Sequence, residues 1–302
     1  MEAKWRWVLV TAIAPVAWGS VYFVTREFLP ADLPLWGAVL RALPAGLLLL
    51  VIRRERPRRS WWWRAASLGA LNMGVFFVLV YLSAQLLPTS IASTIMATSS
   101  MVMMLFAWLL VSERPRVLSL VGAFVGLVGV VLMLAVGVQP VNPWGVVASI
   151  AAMSMSSLGF ILAKRWGSGV DVLSLTSWQL IAGGVMLVPA ALIWEGMPPT
   201  LDASKLAAFA YVSVVATALA FVAWFSGLRR LAAGTVGLIG LLNPVTGVLL
   251  GTLVAGDPFG PGQFLGLALV FAAILMGSCQ LQVAGRSSRQ ERSLPWESER
   301  LS

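Results

Sequence analysis

Ten apolar runs, each about as long as a bilayer core is thick, follow one another through the 302 residues of this chain, at 7–28, 33–52, 66–86, 90–111, 116–137, 142–163, 172–194, 206–227, 234–254 and 262–282. A helix rises about 1.5 Å per residue, so roughly 20 residues cross about 30 Å of hydrocarbon. Lipid offers no hydrogen bonds, so a spanning segment must satisfy its own backbone, as a helix or as a strand of a closed barrel. The ten-residue polar–apolar alternation of barrel strands is absent. The pattern predicts an all-α, polytopic membrane protein with ten transmembrane helices. Composition agrees: 59% of residues are hydrophobic and 11% charged, against about 45–50% and about 25% in soluble domains. Turn and breaker residues separate the runs, as in "LPADLP", "RRERPRRS", "SERPR", "EGMPPTLD" and "GDPFGPG". From residue 283 the chain reads as a polar, disordered tail.

The net charge of +9 does not point to nucleic acid, because the cations sit in short clusters between runs. With the N-terminus inside, 18 of the 21 Lys and Arg fall in cytoplasmic segments; Arg26 and Lys205 fall outside and Arg41 lies within a run. This split predicts a multi-pass protein of the cell (plasma or inner) membrane with both termini cytoplasmic. The first run continues to about Val24 and nine more follow, so it reads as a span rather than a cleaved signal peptide. The lone Cys279 excludes an internal disulfide, and a chain without histidine lacks the commonest metal ligand. No metal or cofactor is expected. Membrane lipid is the expected surround, and the chain is read as a monomer or homodimer.

A weak internal repeat is visible. Shifted by 138, Thr11, Pro15, Trp18 and Tyr22 meet Ser149, Met153, Ser156 and Phe160; Arg41 meets Gln179, Gly46 meets Gly184 and Arg26 meets Lys164. Shifted by 144, Glu113 meets Asp257, Gly122 meets Gly266 and Ser99 meets Asn243. Residues 1–137 and 138–282 thus form two five-helix units, followed by the tail 283–302. An odd number of spans turns the second unit upside down, and inverted repeats are a recurring architecture of secondary transporters.

The stretches "WGSVYFV" at 18–24, "LRALPAG" at 40–46, "TSIAS" at 89–93, "LLVSERPR" at 109–116 and "LLNPVTGVLLG" at 241–251 resemble the EamA family of the drug/metabolite transporter superfamily. The resemblance spans roughly residues 7–280. It implies ten helices, cytoplasmic termini, a central cavity lined mainly by helices 1, 3, 4, 6, 8 and 9, and movement of small metabolites, often the export of amino acids. Two departures stand out: Ser99, Ser100 and Met101 replace a proline common late in helix 4, and the usual Gly-Glu before helix 5 is Ser112-Glu113.

Within those helices the candidate cavity residues are Trp18, Tyr22, Asn72, Phe76, Thr94, Thr98, Ser156, Phe160, Thr217, Phe221, Trp224 and Asn243. Thr11, Pro15, Trp18 and Tyr22 recur at helical spacing and share one face; Pro15 and Pro244 lack an N–H and bend their helices. An aromatic, hydroxyl-rich, uncharged wall suits a neutral or zwitterionic organic solute. The plainer reading is that such side chains bond within their own helix or pack against neighbours. Arg41 carries two readings, a clamp on freed carbonyls or a contact for a substrate carboxylate; the donor Gln179 at its mirrored position favours the clamp. Gly122/Gly126, Gly247/Gly251 and Gly262/Gly266 mark close crossings, inside the bundle or between two copies.

Nothing in the runs forms a Ser–His, paired-Asp or His-Glu-x-x-His arrangement, so the chain is not read as an enzyme. The twelve acids all lie in loops, tails or span ends, with Glu27, Asp32 and Glu113 nearest the spans. This argues against proton drive. The expectation is an inner-membrane secondary transporter or facilitator that exports a small neutral or zwitterionic metabolite, an amino acid or related compound, by alternating access. The alternative is a lipid-linked sugar flippase or drug efflux carrier of the same superfamily. The basic loop "RRERPRRSWWWR" reads as an anchor at the inner surface or as a holder of anionic head groups.

Overall fold

Proline opens three of the helices, at Pro34, Pro143 and Pro261, where its missing N–H is one that a helix start leaves unpaired in any case. Asn142 and Asp171 cap the helices that follow them by accepting from Trp144 N (2.9 Å) and Leu173 N (3.0 Å). Asp202 accepts from Lys205 N at 2.8 Å, and that backbone N–H holds its carboxyl below the usual range. The computed structural model describes residues 2–28, 33–87, 95–134, 142–254 and 260–290, apart from the side chains of 2–4, 22, 23, 25–27, 81, 84, 85, 134, 251 and 278–290.

The described residues form ten helical segments: α1 (Glu2–Phe28), α2 (Pro34–Arg53), α3 (61–86), α4 (Ser99–Val111), α5 (Val117–Leu134), α6 (Pro143–Trp166), α7 (Val172–Trp194), α8 (Ala203–Arg230), α9 (Ala233–Val254) and α10 (Pro261–Gln290). Six of them contain stretches long and apolar enough to cross a membrane; Ile95–Val111, Val117–Met133 and Pro261–Gly277 are shorter apolar helices. α10 continues past 282 to Gln290, because 283–290 contains no proline to stop it. The rest of the expected tail lies outside the described residues. Large apolar side chains such as Ile193, Leu253 and Phe264 stand 75%, 79% and 67% exposed, as on a surface meant for lipid rather than water.

The crossings carry a two-fold relation. A side chain at Gly46 would meet Ile181, and one at Gly184 would meet Leu43; under the 138 shift these contacts exchange. As the number rises along α2 it falls along α7, so the two mates run antiparallel. The same holds for α5 and α10, where Gly122 faces the Ala273 carbonyl and Gly266 faces the Gly129 carbonyl. Antiparallel mates are what an inverted repeat requires. The remaining helices follow suit: α1 packs on α8 and α9, while α6 packs on α3 and α4. Among the glycines flagged in sequence, Gly122, Gly126 and Gly266 therefore serve crossings inside the chain.

Two local features break regularity. α3 and α8 each contain one π-turn, Ala70–Gly74 and Val214–Leu219, whose starts are 144 residues apart. α9 is interrupted after Ile239: Asn243 N reaches back only to Gly240 O (3.0 Å) and Pro244 has no N–H to offer.

At Gly266 a Cβ would lie 2.4 Å from a backbone oxygen, whereas at Gly37 it would meet nothing within 4 Å. Gly266→Val is expected to destabilise the protein by about 1–3 kcal/mol or more through overpacking. Gly37→Ala is expected to be neutral or stabilising by up to about 1 kcal/mol. Thermal midpoints of the purified variants in detergent decide both.

Candidate functional site

Where α1, α6 and α8 meet, aromatic side chains form one cluster. Trp18 lies 5.1 Å from Phe221 and 5.2 Å from Trp224, centroid to centroid, and faces Phe160 at 6.4 Å with planes only 2° from parallel. Phe160 lies 5.4 Å from Trp224 and 5.9 Å from Phe225. Such spacings are those of interacting rings. Gly240, at the interruption of α9, abuts the tip of the Trp224 ring: a Cβ there would stand 3.3 Å from Trp224 Cη2. Close to Trp18 on α1, Gly19 lies against the backbone oxygen of Asn243. The indole N–H groups of Trp18 and Trp224 are buried and meet no acceptor among the described residues.

Arg41 projects from α2 onto the π-turn of α8. Its Nε donates to Thr217 Oγ1 at 2.7 Å, its Nη2 donates to Ala216 O at 3.3 Å, and its guanidinium lies 4.9 Å over the Phe77 ring. A π-turn loosens the helical ladder and leaves carbonyls in need of donors. An arginine at mid-helix costs about 2.5–3.5 kcal/mol on insertion scales. A hydrogen bond made by a charged donor contributes about 1.5–3 kcal/mol, so the Thr217 bond alone offsets most of that cost. At the mirrored site the bond is neutral and runs the other way: Gln179 of α7, expected to donate, accepts from Asn72 Nδ2 at 2.8 Å, and Asn72 lies in the π-turn of α3. In this conformation Arg41 links α2 to the π-turn of α8.

At one end of the bundle the basic segments gather. Lys164, near the end of α6, pairs with Glu113 and donates to Leu231 O at 3.0 Å, while Glu113 Oε2 accepts from Ala233 N at 2.9 Å at the start of α9. This latch joins α4, α6 and the α8–α9 connection. Ser112, in the left-handed region at φ 57°, turns the chain that presents Glu113, a conformation glycine adopts more readily. Arg64 lies 5.4, 5.6 and 5.9 Å from the rings of Trp61, Trp63 and Trp166. At the opposite end Glu195 accepts from Leu35 N and Trp36 N (2.7 and 2.8 Å), and the Ser20 and Tyr211 hydroxyls share a 2.6 Å bond. A pocket of about 300 Å³ opens there between α2, α3 and the end of α7, lined by Pro34, Ala38, Phe77, Leu82 and Trp194. Its lining does not include the aromatic cluster.

Of the candidate residues, Trp18, Phe160, Phe221 and Trp224 come together in that cluster. Thr217 is engaged by Arg41, and Asn72 by Gln179 and by packing against Gly159. Ser156 donates within α6 to Met153 O (3.1 Å), and Thr98, just before α4, donates to Ile95 O (2.6 Å). Phe76 packs on Phe77 at 5.6 Å, and Asn243 stands at the α9 interruption. Thr94 and the Tyr22 side chain lie outside the described residues. Phe225 was missed, although it stands four positions after Phe221 and so shares its face. The Glu113–Lys164 pairing and both π-turns were missed as well, and no local sequence signal announces them.

The EamA-like transporter family matches residues 5–135 and again 143–279. Protein PecM of Dickeya dadantii (strain 3937) is 36% identical over 287 residues, covering 94% of this chain and 95% of its own length. The uncharacterized inner membrane transporter YedA of Escherichia coli (strain K12) is 28% identical, with 86% and 87% covered. The uncharacterized transporter YvbV of Bacillus subtilis (strain 168) is 25% identical, with 90% and 92% covered. A solved crystal structure shares the fold with a TM-score of 0.77 at 18% identity, over 92% of this chain and 98% of that one.

Thr217→Val leaves the Arg41 guanidinium short of an acceptor and is expected to lower stability by about 1–3 kcal/mol, read as thermal midpoint. Thr217→Ser keeps the oxygen and is expected to shift the midpoint little. Equal midpoints for both variants would remove Arg41 from its clamping role.

Proposed function

The chain belongs to the EamA-like transporter family, and from that premise we propose that this membrane transporter exports a small neutral or zwitterionic metabolite, an amino acid or related compound, by alternating access. One observation carries the reading. The residues the sequence nominates for the passage, Trp18, Phe160, Phe221 and Trp224, meet at the crossing of α1, α6 and α8 in an aromatic cluster without a formal charge. Such a wall favours a solute with an apolar body and no net charge to desolvate.

The halves 1–137 and 138–282 are the two units that rock against each other, with the tail 283–302 outside them. The basic end is cytoplasmic, as the positive-inside rule predicts, and so are both termini. The Glu113–Lys164 latch then closes the cytoplasmic side in this conformation, holding α4, α6 and α9 together. Among the described residues the carboxylates stand at helix ends or in connections, as with Glu55, Glu113, Asp171, Glu195 and Asp202. A carrier that moves protons generally needs a titratable group inside the membrane, so transport is facilitated diffusion or exchange.

Cells making the wild-type chain are expected to survive a toxic amino-acid analogue that kills cells without it. Trp18→Ala, Tyr22→Ala and Asn243→Ala are each expected to lose at least about tenfold in protection at equal expression, equivalent to about 1.4 kcal/mol. Three variants that protect as well as wild type would remove these residues from the passage. In proteoliposomes a pH gradient alone is expected to drive no accumulation; uphill uptake under that gradient would overturn the uncoupled mechanism.

A further inference from the structure

One arginine at the basic end is caged by tryptophans. The Arg64 guanidinium lies 5.4, 5.6 and 5.9 Å from the ring centroids of Trp61, Trp63 and Trp166. Those rings are themselves held in place. Trp63 meets Trp166 edge-on at 5.1 Å, and Trp61 leans on Trp178 at 5.5 Å. Trp178 in turn donates its indole N–H to Glu55 O at 2.9 Å. Aromatic rings attract a guanidinium through its charge and leave its N–H groups free to donate in the plane. The Nε of Arg64 is buried and meets no acceptor among the described residues. A buried donor left without a partner is costly and calls for an explanation. The positive-inside rule accounts for a basic loop at this end. It does not account for a guanidinium set among three indoles with a donor unused.

The surroundings say what charge the missing acceptor carries. Arg53 is engaged by Glu55 at 3.3 Å and by Asp171 at 3.4 Å. Among the described residues no carboxylate pairs with Arg54, Arg56, Arg58, Arg59 or Arg64. The region therefore lacks negative charge, and the positive end of the α3 dipole adds to the imbalance. The patch also has an apolar border. Val51 and Ile52, at the end of α2, are exposed, and so are Trp62 and Trp63 at the start of α3. Tryptophans so placed sit at the level of lipid head groups. A soluble anion would find charge here but would leave the apolar border bare.

We propose that the Arg64 cage binds the phosphate of an anionic phospholipid, one whose head group carries a net negative charge. Two phosphodiester oxygens accept side by side from Nε and an Nη of Arg64, the paired geometry that a guanidinium offers. The exposed arginines of 54–59 face the rest of the head group, and the acyl chains follow the apolar end of α2. A zwitterionic phospholipid brings the same phosphate together with a cation, which the neighbouring arginines repel. The site shares no residue with the aromatic cluster of α1, α6 and α8, so it does not depend on which solute the chain carries.

The purified full chain in detergent is titrated with dioleoylphosphatidylglycerol and with dioleoylphosphatidylcholine, and bound lipid is counted by native mass spectrometry. Phosphatidylglycerol is expected to half-saturate at a concentration at least about tenfold lower, because each basic residue near the head group adds attraction for net negative charge. Arg64→Gln removes the guanidinium, while Arg64→Lys keeps a cation among the rings and loses only the planar fork. Each is expected to raise the phosphatidylglycerol half-saturation at least about fivefold, since a point charge does not replace a paired donor. Arg58→Gln removes one exposed charge outside the cage and is expected to change it by less than about twofold. Glycerophosphoglycerol, the same head group without chains, is expected not to displace the lipid at equal concentration. Equal half-saturation for the two phospholipids would overturn the anionic head group. Arg58→Gln acting as strongly as Arg64→Lys would overturn the cage in favour of general surface charge. Displacement by glycerophosphoglycerol at equal concentration would overturn the lipid in favour of a soluble anion.

Discussion

A permanent cation within a membrane helix has to be hydrogen-bonded by its own protein, and the way Arg41 is satisfied organises the centre of this bundle. Its acceptors, the Thr217 hydroxyl and the Ala216 carbonyl, both lie in Val214–Leu219, where α8 departs from α-helical regularity. A π-turn inserts one residue into the helical repeat, which rotates everything after it by about 100° relative to an unbroken helix. Downstream of that rotation come Phe221, Trp224 and Phe225, the rings that meet Trp18 and Phe160. Arg41 holds the turn, and the turn aims the rings. The mirrored pair of Gln179 and Asn72 braces α3 through a neutral bond, so the charge appears on one side only.

The helices divide by their packing. α2 with α7, and α5 with α10, are self-paired about the two-fold relation, with glycines bringing backbones together at Gly46, Gly184, Gly129 and Gly266. Close backbone contact of this kind gives lipid-embedded helices their dispersion energy, since apolar side chains gain little by leaving lipid for one another. α1, α6, α8 and α9 supply the rings and the interrupted backbone instead. Their contacts run through side chains and through single glycines such as Gly19, Gly159 and Gly227.

How much of this was legible in the sequence follows from the solvent. In water, a hydrophobic stripe tells which face of a helix is buried; in lipid both faces are apolar and that signal fades. The runs themselves were therefore readable, and their ends nearly so. Which residues face inward had to be inferred from polar or aromatic residues in a repeat. That inference nominated Trp18, Phe160, Phe221 and Trp224, which lie in one cluster, and it took Gln179 for a donor like Arg41, whereas Gln179 accepts from Asn72. It could not see partners on a different element: the Thr217 oxygen accepts from Arg41, and the Asn72 amide donates to Gln179. The π-turns left no mark in "ALNMG" or "VVATAL", because a π-turn is a register shift imposed by packing rather than a propensity of its residues.

The latch at the basic end shows the same dependence on long-range pairing. Glu113 and Lys164 stand 51 residues apart, in different halves, and each alone reads as an ordinary loop charge. Together they are half-buried, and their remaining hydrogen-bonding capacity goes to backbone groups at Leu231 and Ala233. A pair so placed gains more than an exposed one, because water competes less for both charges. It also costs more to separate, so an opening of this end has to replace those bonds. Ser112 adds to the geometry: in the left-handed region it spends conformational energy to turn Glu113 toward Lys164. The repeat carries the same charges on, since the mates of Glu113 and Lys164 are Asp257 and Arg26, acid for acid and base for base. That correspondence argues that the two charges are set by the architecture of the repeat, where a charge needed only for solubility would be free to differ between halves.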